Sequence, residues 1–238
     1  MDLTNVGFTR AMRETEVAVM QTGAVEAHGT HLPLGTDIIL PQYLAGVVAT
    51  KTNALVLPPI PFGDSWWFDE FSGTVSVSTK TLTELYAEVM SAVFRHGFRY
   101  IVALNGHGGN VSALQEAAKK TTLNAERAVI IVNWWVDLAK SARQIVLETP
   151  EGHAAEDETS EVMHVRPELV VGPPPPASRV TPKFKIISGN YRQELYPKAV
   201  FGDPTKASAE KGRLIMEQAS EELIQLIEQL QLGQLPMS

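Results

Sequence analysis

Three of the six histidines, His28, His31 and His107, follow directly on apolar runs, and carboxylates stand beside them. Glu26 and His28 are two residues apart, which turns both side chains to one side of an extended segment. Asp37 follows after a loop containing Gly29, Pro33 and Gly35. His107 lies in NGHGGN (105–110), where glycines permit close backbone approach and Asn105 and Asn110 can orient their neighbours. Two loops that supply Glu, His, Asp and His can converge on a divalent metal. With no cysteine in the chain, only imidazole, carboxylate and main-chain oxygen are left as ligands, a set that suits zinc, manganese or iron better than copper(I) or a cluster. Each piece alone has a plainer use: Asp37 as a helix N-cap, Glu26 or His28 as surface groups, NGHGGN as a tight turn or phosphate nest. That loop lacks the lysine of a P-loop and the spacing of a dinucleotide fingerprint.

A third region, EGHAAEDETSE (151–161), holds His153, Glu156, Asp157, Glu158 and Glu161. So acidic a run reads as a solvated face or as the first turn of a helix, where carboxylates complement the dipole. That accounts for the acids and leaves His153, whose ordinary pKa near neutrality suits a general acid or base beside an activated water. His31 either supports its neighbours or is a loop imidazole. His96 and His164 fall in helical segments and read as structural or exposed.

The elements that must position these residues alternate. Val17 to Met20 is a buried strand running into a loop; a helix starts near Thr36 or Asp37, with Pro41 in its first turns; ALVLPPIPFG (54–63) is a second strand ended by prolines. A brief extended piece precedes a helix with Leu82, Leu85, Val89 and Val93 on its apolar face and Gly97 as its stop. RYIVALN (99–105) is a third strand, NVSALQEAAKKTTLN (110–124) a third helix, AVIIVNWW (128–135) a fourth strand. This order predicts an α/β protein of three layers, α/β/α, with a mainly parallel sheet whose strand C-termini face a ligand crevice. Beyond residue 138 the pattern weakens into irregular structure with PPPP at 173–176, until one long helix over 206–232 carries apolar Leu214, Ile215, Ala219, Leu223, Leu226 and Ile227. We expect that helix to pack back on the same unit, making residues 1–238 one domain.

Lys and Arg number 20 against 27 Asp and Glu, a formal charge of -7, so no general attraction to nucleic acid or anionic membrane is expected. No apolar run approaches the roughly 20 residues of a membrane span, and no apolar leader is visible, so a cytoplasmic protein is expected.

The blocks GAVEAHGTHLPLGTD (23–37), NGHGGN (105–110), VNWW (132–135), HAAEDETS (153–160) and FGDPTKASAEKG (201–212) together resemble the creatininase (creatinine amidohydrolase) family, in its HGGN branch. The resemblance implies one α/β/α domain, a binuclear metal centre at the strand ends, and a homo-oligomer, commonly a hexamer. It implies that Glu26 and His107 bind one metal, His28 the other, and Asp37 both. A further family ligand, a Glu two positions after the second-motif His, is Gly109 here. Glu158 is the first candidate to replace it and Glu156, otherwise a catalytic candidate, the second. His153 matches the catalytic histidine, and Trp134 and Trp135 fall where aromatics line the substrate pocket. Where many members read G-x-S-x-E-H-x-x-F-P-G-T, this chain has GDSWWFDEFSGT (63–74): Trp67 and Phe68 replace Glu and His. Ser65, Trp67 and Phe68 then belong to a more apolar pocket, or the aromatics pack between subunits. His31, Asn105 and Asn110 would support the ligands.

The implied function is hydrolysis of a non-peptide C–N bond in a small cyclic or formyl amide by a metal-activated water, with two divalent ions, zinc first and manganese or iron as alternatives. The alternative chemistry is C–C cleavage of a cyclic diketone such as a keto-inositol. From a different class, the chain could be a non-catalytic, anion-binding protein that uses NGHGGN as a nest.

Overall fold

The computed structural model describes residues 3–123 and 126–237. Four strands, β1 (Val17–Thr22), β2 (Leu55–Val56), β3 (Tyr100–Asn105) and β4 (Ala128–Asn133), form a wholly parallel sheet in the order β2-β1-β3-β4. The pairing runs from Val17 opposite Tyr100 to Thr22 opposite Asn105, and from Tyr100 opposite Ala128 to Asn105 opposite Asn133, so β1, β3 and β4 end level. The chain leaves β1 toward β2 on one side and re-enters at β3 on the other. Between β1 and β3 lies the switch point where open α/β sheets form their crevice. β2 is only two residues long, shorter than the predicted strand, because Pro58, Pro59 and Pro61 have no N–H to give to a ladder.

Alternate strand residues serve two cores. Val17, Val19, Val102, Leu104 and Val132 pack on one face and Ala18, Met20, Ile101 and Ala103 on the other, which is why these strands read as continuous apolar runs. The helices are α1 (Asn5–Ala11), α2 (Thr36–Lys51), α3 (Thr79–Arg95), α4 (Val111–Thr122), α5 (Trp134–Asp137), α6 (Lys140–Val146), α7 (Glu156–Val165), α8 (Arg192–Leu195) and α9 (Ala209–Gln231). α3 and α4 cover one face; α2, α7 and α9 cover the other. The short helix α1 is capped by Thr4 and packs Phe8 against Phe98. On α3 the buried line runs through Leu82, Tyr86, Met90 and Phe94 at four-residue steps, which leaves the expected Leu85 40% exposed. The expected Leu214 of α9 is likewise turned outward. The stretch with the proline run is irregular, as expected, and is tied back by a bridge between Ser178 and Gly202. Among the described residues no helix is long and apolar enough to cross a membrane.

α9 lies close along α7 because Gly212 presents no side chain there: a Cβ at this position would come within 1.9 Å of the Ser160 carbonyl oxygen. Gly212→Ala is therefore expected to force the two backbones apart at a cost of about 2 kcal/mol despite alanine's better helix propensity, a fall of roughly 5 °C in Tm. A thermal melt by circular dichroism checks it, and an unchanged Tm would contradict so close an approach.

Candidate metal centre and active site

Glu26 and His28 sit on the loop leaving β1, Asp37 in the first turn of α2, and His107 on the loop leaving β3; all four are nearly inaccessible to solvent. Asp37 is not the cap of its helix: Gly35 holds that position, and the carboxylate turns away from the helix N–H groups. Its Oδ1 lies 3.0 Å from His28 Nε2 and its Oδ2 2.8 Å from His107 Nδ1, so the two oxygens of one carboxylate address two imidazoles. Glu26 Oε2 is 3.5 Å from His107 Nε2, and Glu158 Oε2 is 3.8 Å from His28 Nε2. Ligand atoms within 4.8 Å of one another form three sets: Glu26, Asp37 and His107; His28, Asp37 and Glu158; Glu26, His28 and His153.

The imidazoles are fixed by the main chain. His28 Nδ1 lies 3.0 Å from the Glu26 carbonyl, His107 Nε2 2.9 Å from that of Asp64, and His153 Nε2 2.9 Å from that of Ala27. A carbonyl only accepts, so each of these nitrogens carries the proton and donates it, leaving the lone pair of the other nitrogen for the cluster. Glu26 Oε2, His28 Nε2 and Asp37 Oδ2 are buried and, among the described residues, face only the other members of the cluster, with no hydrogen-bond partner outside it. Buried groups of this kind are costly unless something binds them, and oxygen and imidazole donors aimed at common points fit divalent cations.

The charges of the metal-free cluster agree. Burial opposes charge on His28, yet Asp37 and Glu158 raise its pKa to about 10, and against the same opposition Glu26 and Asp37 raise His107 to about 9. Burial would raise Asp37, but the two imidazoles hold it well below the usual carboxylate range. Burial pushes Glu26 up and Glu158 to about 8, each partly relieved by a neighbouring imidazole. Protons thus fill the role that a bound cation would take over. His153 is driven the other way, well below its ordinary value, by burial and by His28. Its ring stacks on Phe68 at 4.1 Å and 21°, with the His28 ring 4.2 Å away and Nδ1 3.7 Å from Glu26 Oε1. Ala154, at φ 50°, makes the left-handed turn between His153 and α7, and its N–H donates to Glu158 Oε2 at 2.5 Å.

These groups face a cavity of about 320 Å³ walled by Trp67, Phe68 and Trp135. Trp134 does not line it: α5 begins there, successive residues diverge by about 100°, and Trp134 is buried in the core under the Arg143 guanidinium. Ser65 is buried beside the Glu26 carboxylate, which it helps to hold ionised, and is not a wall. Glu156 is remote in function from the cluster. Its carboxylate is 2.5 Å from Lys211 Nζ and accepts the Thr149 N–H at 2.7 Å, which corrects the expectation of a catalytic or ligand role. The acidic run does open a helix, α7, but not as a solvated face: Glu156, Asp157 and Glu161 are buried against Lys211 and Arg143.

The supporting residues knit the strand ends together. Asn105 Oδ1 accepts from Thr22 Oγ1 at 3.0 Å and from the His107 N–H at 3.1 Å, and its Nδ2 donates to Asn133 at 2.9 Å. Asn110 donates to the Gly23 carbonyl at 3.0 Å and accepts the Asp64 N–H at 3.2 Å. His31 is buried with Nε2 2.8 Å from Thr159 Oγ1, and burial with nearby His28 lowers its pKa to about 4. His96 is exposed beside Phe8 and His164 packs near Tyr43, both away from the cavity. The residue missed from sequence is Asp64, which lines the cavity and orients His107 through its carbonyl, a main-chain role with no side-chain signature.

A parallel α/β sheet with a histidine and carboxylate cluster at its switch point defines a class of candidate metal-dependent enzymes. Within it, the profile of the creatininase family, described as creatinine amidohydrolase, matches residues 1–227, and the chain belongs to that family. It is 32% identical over 211 residues to the mycofactocin precursor peptide peptidase of Mycolicibacterium smegmatis, covering 84% of this chain and 79% of the relative. It is 30% identical over 223 residues to the creatinine amidohydrolase of Pseudomonas putida, covering 84% of each. A creatininase crystal structure superposes with a TM-score of 0.84 at 26% identity, over 100% of this chain and 97% of the other. Solved creatininases include a Zn–Zn form of a point mutant and a manganese form.

Proposed function

We propose that this protein is a metal-dependent amidohydrolase that cleaves a C–N bond in a small, uncharged cyclic or formyl amide. The observation that carries the proposal is the position of Asp37, one carboxylate set between His28 and His107, with Glu158 completing one ligand set and Glu26 the other. When bound, two divalent cations, zinc first and manganese or iron as alternatives, supply a lowered pKa for water and polarisation of the substrate carbonyl. Glu26, Asp37 and His107 would hold one, and His28, Asp37 and Glu158 the other. Glu158 takes the part of the ligand missing at Gly109, where any Cβ would stand 2.0 Å from the Asp64 carbonyl oxygen.

His153 is the proton carrier. Its Nε2–H is committed to the Ala27 carbonyl, so the bare Nδ1 receives a proton from the attacking water and delivers it to the departing nitrogen, which cannot leave as an anion. Trp67, Phe68 and Trp135 take the flat faces of the substrate and exclude water. Among the described residues the cavity is lined by Glu26, Asp37, Asp64 and Glu158 and by no lysine or arginine, and its imidazoles, His107 and His153, belong to the cluster, so no side chain is left over to pair with a carboxylate or phosphate carried by the substrate. A phosphate nest finds no support, because none of the glycines in 105–110 has the positive φ that a nest requires.

The test is turnover by zinc-loaded protein of a five-membered lactam, its carboxylated analogue, an N-formyl amine and a cyclic 1,3-diketone. Hydrolysis of the lactam or formyl amine, at least about tenfold faster than the carboxylated ring on the scale of one unmatched charge, is the expected result. Turnover of the diketone alone would move the assignment to C–C cleavage. Metal-independent phosphate binding without turnover would replace the enzyme by a binding protein.

A further inference from the structure

The first turn of α7 sends four consecutive buried or half-buried side chains in four directions. Glu156 goes to Lys211, Asp157 to Arg143, Glu158 to His28 and Thr159 to His31. Only Glu158 reaches the cavity; the other three hold the turn that presents it. Arg143 is the least expected of the partners. It stands on α6, outside the cavity, with 2% of its surface exposed. Its Nη1 is 2.9 Å from Glu161 Oε1 and 3.7 Å from Asp157 Oδ2, its Nε is 4.0 Å from Glu151 Oε1, and its guanidinium carbon lies 5.0 Å over the Trp134 ring.

As a source of stability this arrangement is poor. Taking a guanidinium and two carboxylates out of water is expensive, and well-packed apolar residues commonly replace such a group without loss. Its geometry is another matter. Three segments that carry one half of the site meet at Arg143: the start of α5 with Trp134 and its neighbour Trp135, the loop with Glu151, Gly152 and His153, and α7 with Glu158. The opposite half, Glu26, Asp37 and His107, is built on β1, α2 and β3, and none of its side chains pairs with Arg143.

We propose that Arg143 is a positioning residue that sets the half of the site carrying Glu158, His153 and Trp135 against the half carrying Glu26, Asp37 and His107. The inference rests on the reading of the cluster as a two-metal centre. It makes the ion at His28, Asp37 and Glu158 depend on Arg143, and the ion at Glu26, Asp37 and His107 independent of it.

The experiment measures bound zinc per chain after equilibration with zinc and gel filtration, and zinc affinity by competition with a chromophoric chelator. The proteins are wild type, Arg143→Lys, and the triple variant Arg143→Met, Asp157→Asn, Glu161→Gln, with thermal melts alongside. The triple variant removes the cation and the two buried carboxylates it faces, while the third, Glu151, is half exposed and stays solvated, so no buried charge is left uncompensated. Arg143→Lys keeps the charge and loses the planar fork. Expected are two ions in wild type and one tight ion in both variants, the second weakened about 10- to 100-fold, the scale of losing an outer support of a ligand. Cooperative melts in the variants show that the loss is local. A folded variant that binds two ions with wild-type affinity would overturn the inference and leave the two-metal reading intact. Wild type that takes up no zinc would remove that reading, and this inference with it.

Discussion

Asp37→Ala is expected to yield folded protein with almost no divalent metal and with turnover reduced about a thousandfold or more, the equivalent of several kcal/mol of transition-state charge stabilisation. The carboxylate is 3.0 Å from His28 and 2.8 Å from His107, closer than Glu26, whose two oxygens stand 3.5 Å from His107 and 3.7 Å from His153. Its removal takes a ligand from both sets at once, whereas loss of His107 alone would touch only one of them. The fold should tolerate the change. Gly35, not Asp37, caps α2, and without the Asp37 carboxylate His28 still faces Glu158 and His107 still faces Glu26, so each imidazole keeps an acidic partner. Elemental analysis of protein purified without chelator, with melts compared between metal-free wild type and metal-free variant, checks both halves. Two ions retained with full turnover would remove the bridging assignment.

The sheet was legible because its strands are buried on both faces: Val17 to Met20 and Tyr100 to Leu104 are apolar without interruption, and loops rich in His, Gly and carboxylate follow them. The meeting of Glu26, His28, Asp37 and His107 follows from parallel strands that end level. The acidic run was harder to place. Asp157 and Glu161 carry the signature of a solvated surface, and the groups that allow them inside, Arg143 and Lys211, stand on other helices that no local pattern connects to them. Nor does adjacency distinguish Trp134 from Trp135. The chain changes from strand to helix between Asn133 and Trp134, and that change alone sends one indole under Arg143 and the other to the cavity.

Two glutamates a half-turn apart on α7 give the sharpest contrast, because each variant should move a quantity that the other leaves alone. Glu158 accepts the Ala154 N–H, lies 3.8 Å from His28 Nε2, and faces the cavity with its carboxyl raised to about 8 by burial. Glu158→Gln keeps that acceptor and the shape while withdrawing the charge. It is expected to lower bound zinc from two ions to about one and turnover by about 100- to 1,000-fold, as befits one lost ligand with the bridge still in place. Glu156 has no line to the cavity; it is held by Lys211 at 2.5 Å and by Thr149 at 2.7 Å, at the seam between α7 and α9. Glu156→Gln should retain both ions and normal turnover but lower Tm by roughly 4–10 °C, because neutralising one partner of a buried, hydrogen-bonded pair costs about 2–3 kcal/mol. Metal analysis and melting of the two proteins in parallel decide the matter. An ion lost from Glu156→Gln and kept in Glu158→Gln would exchange their roles and require α7 to be rotated from the position described.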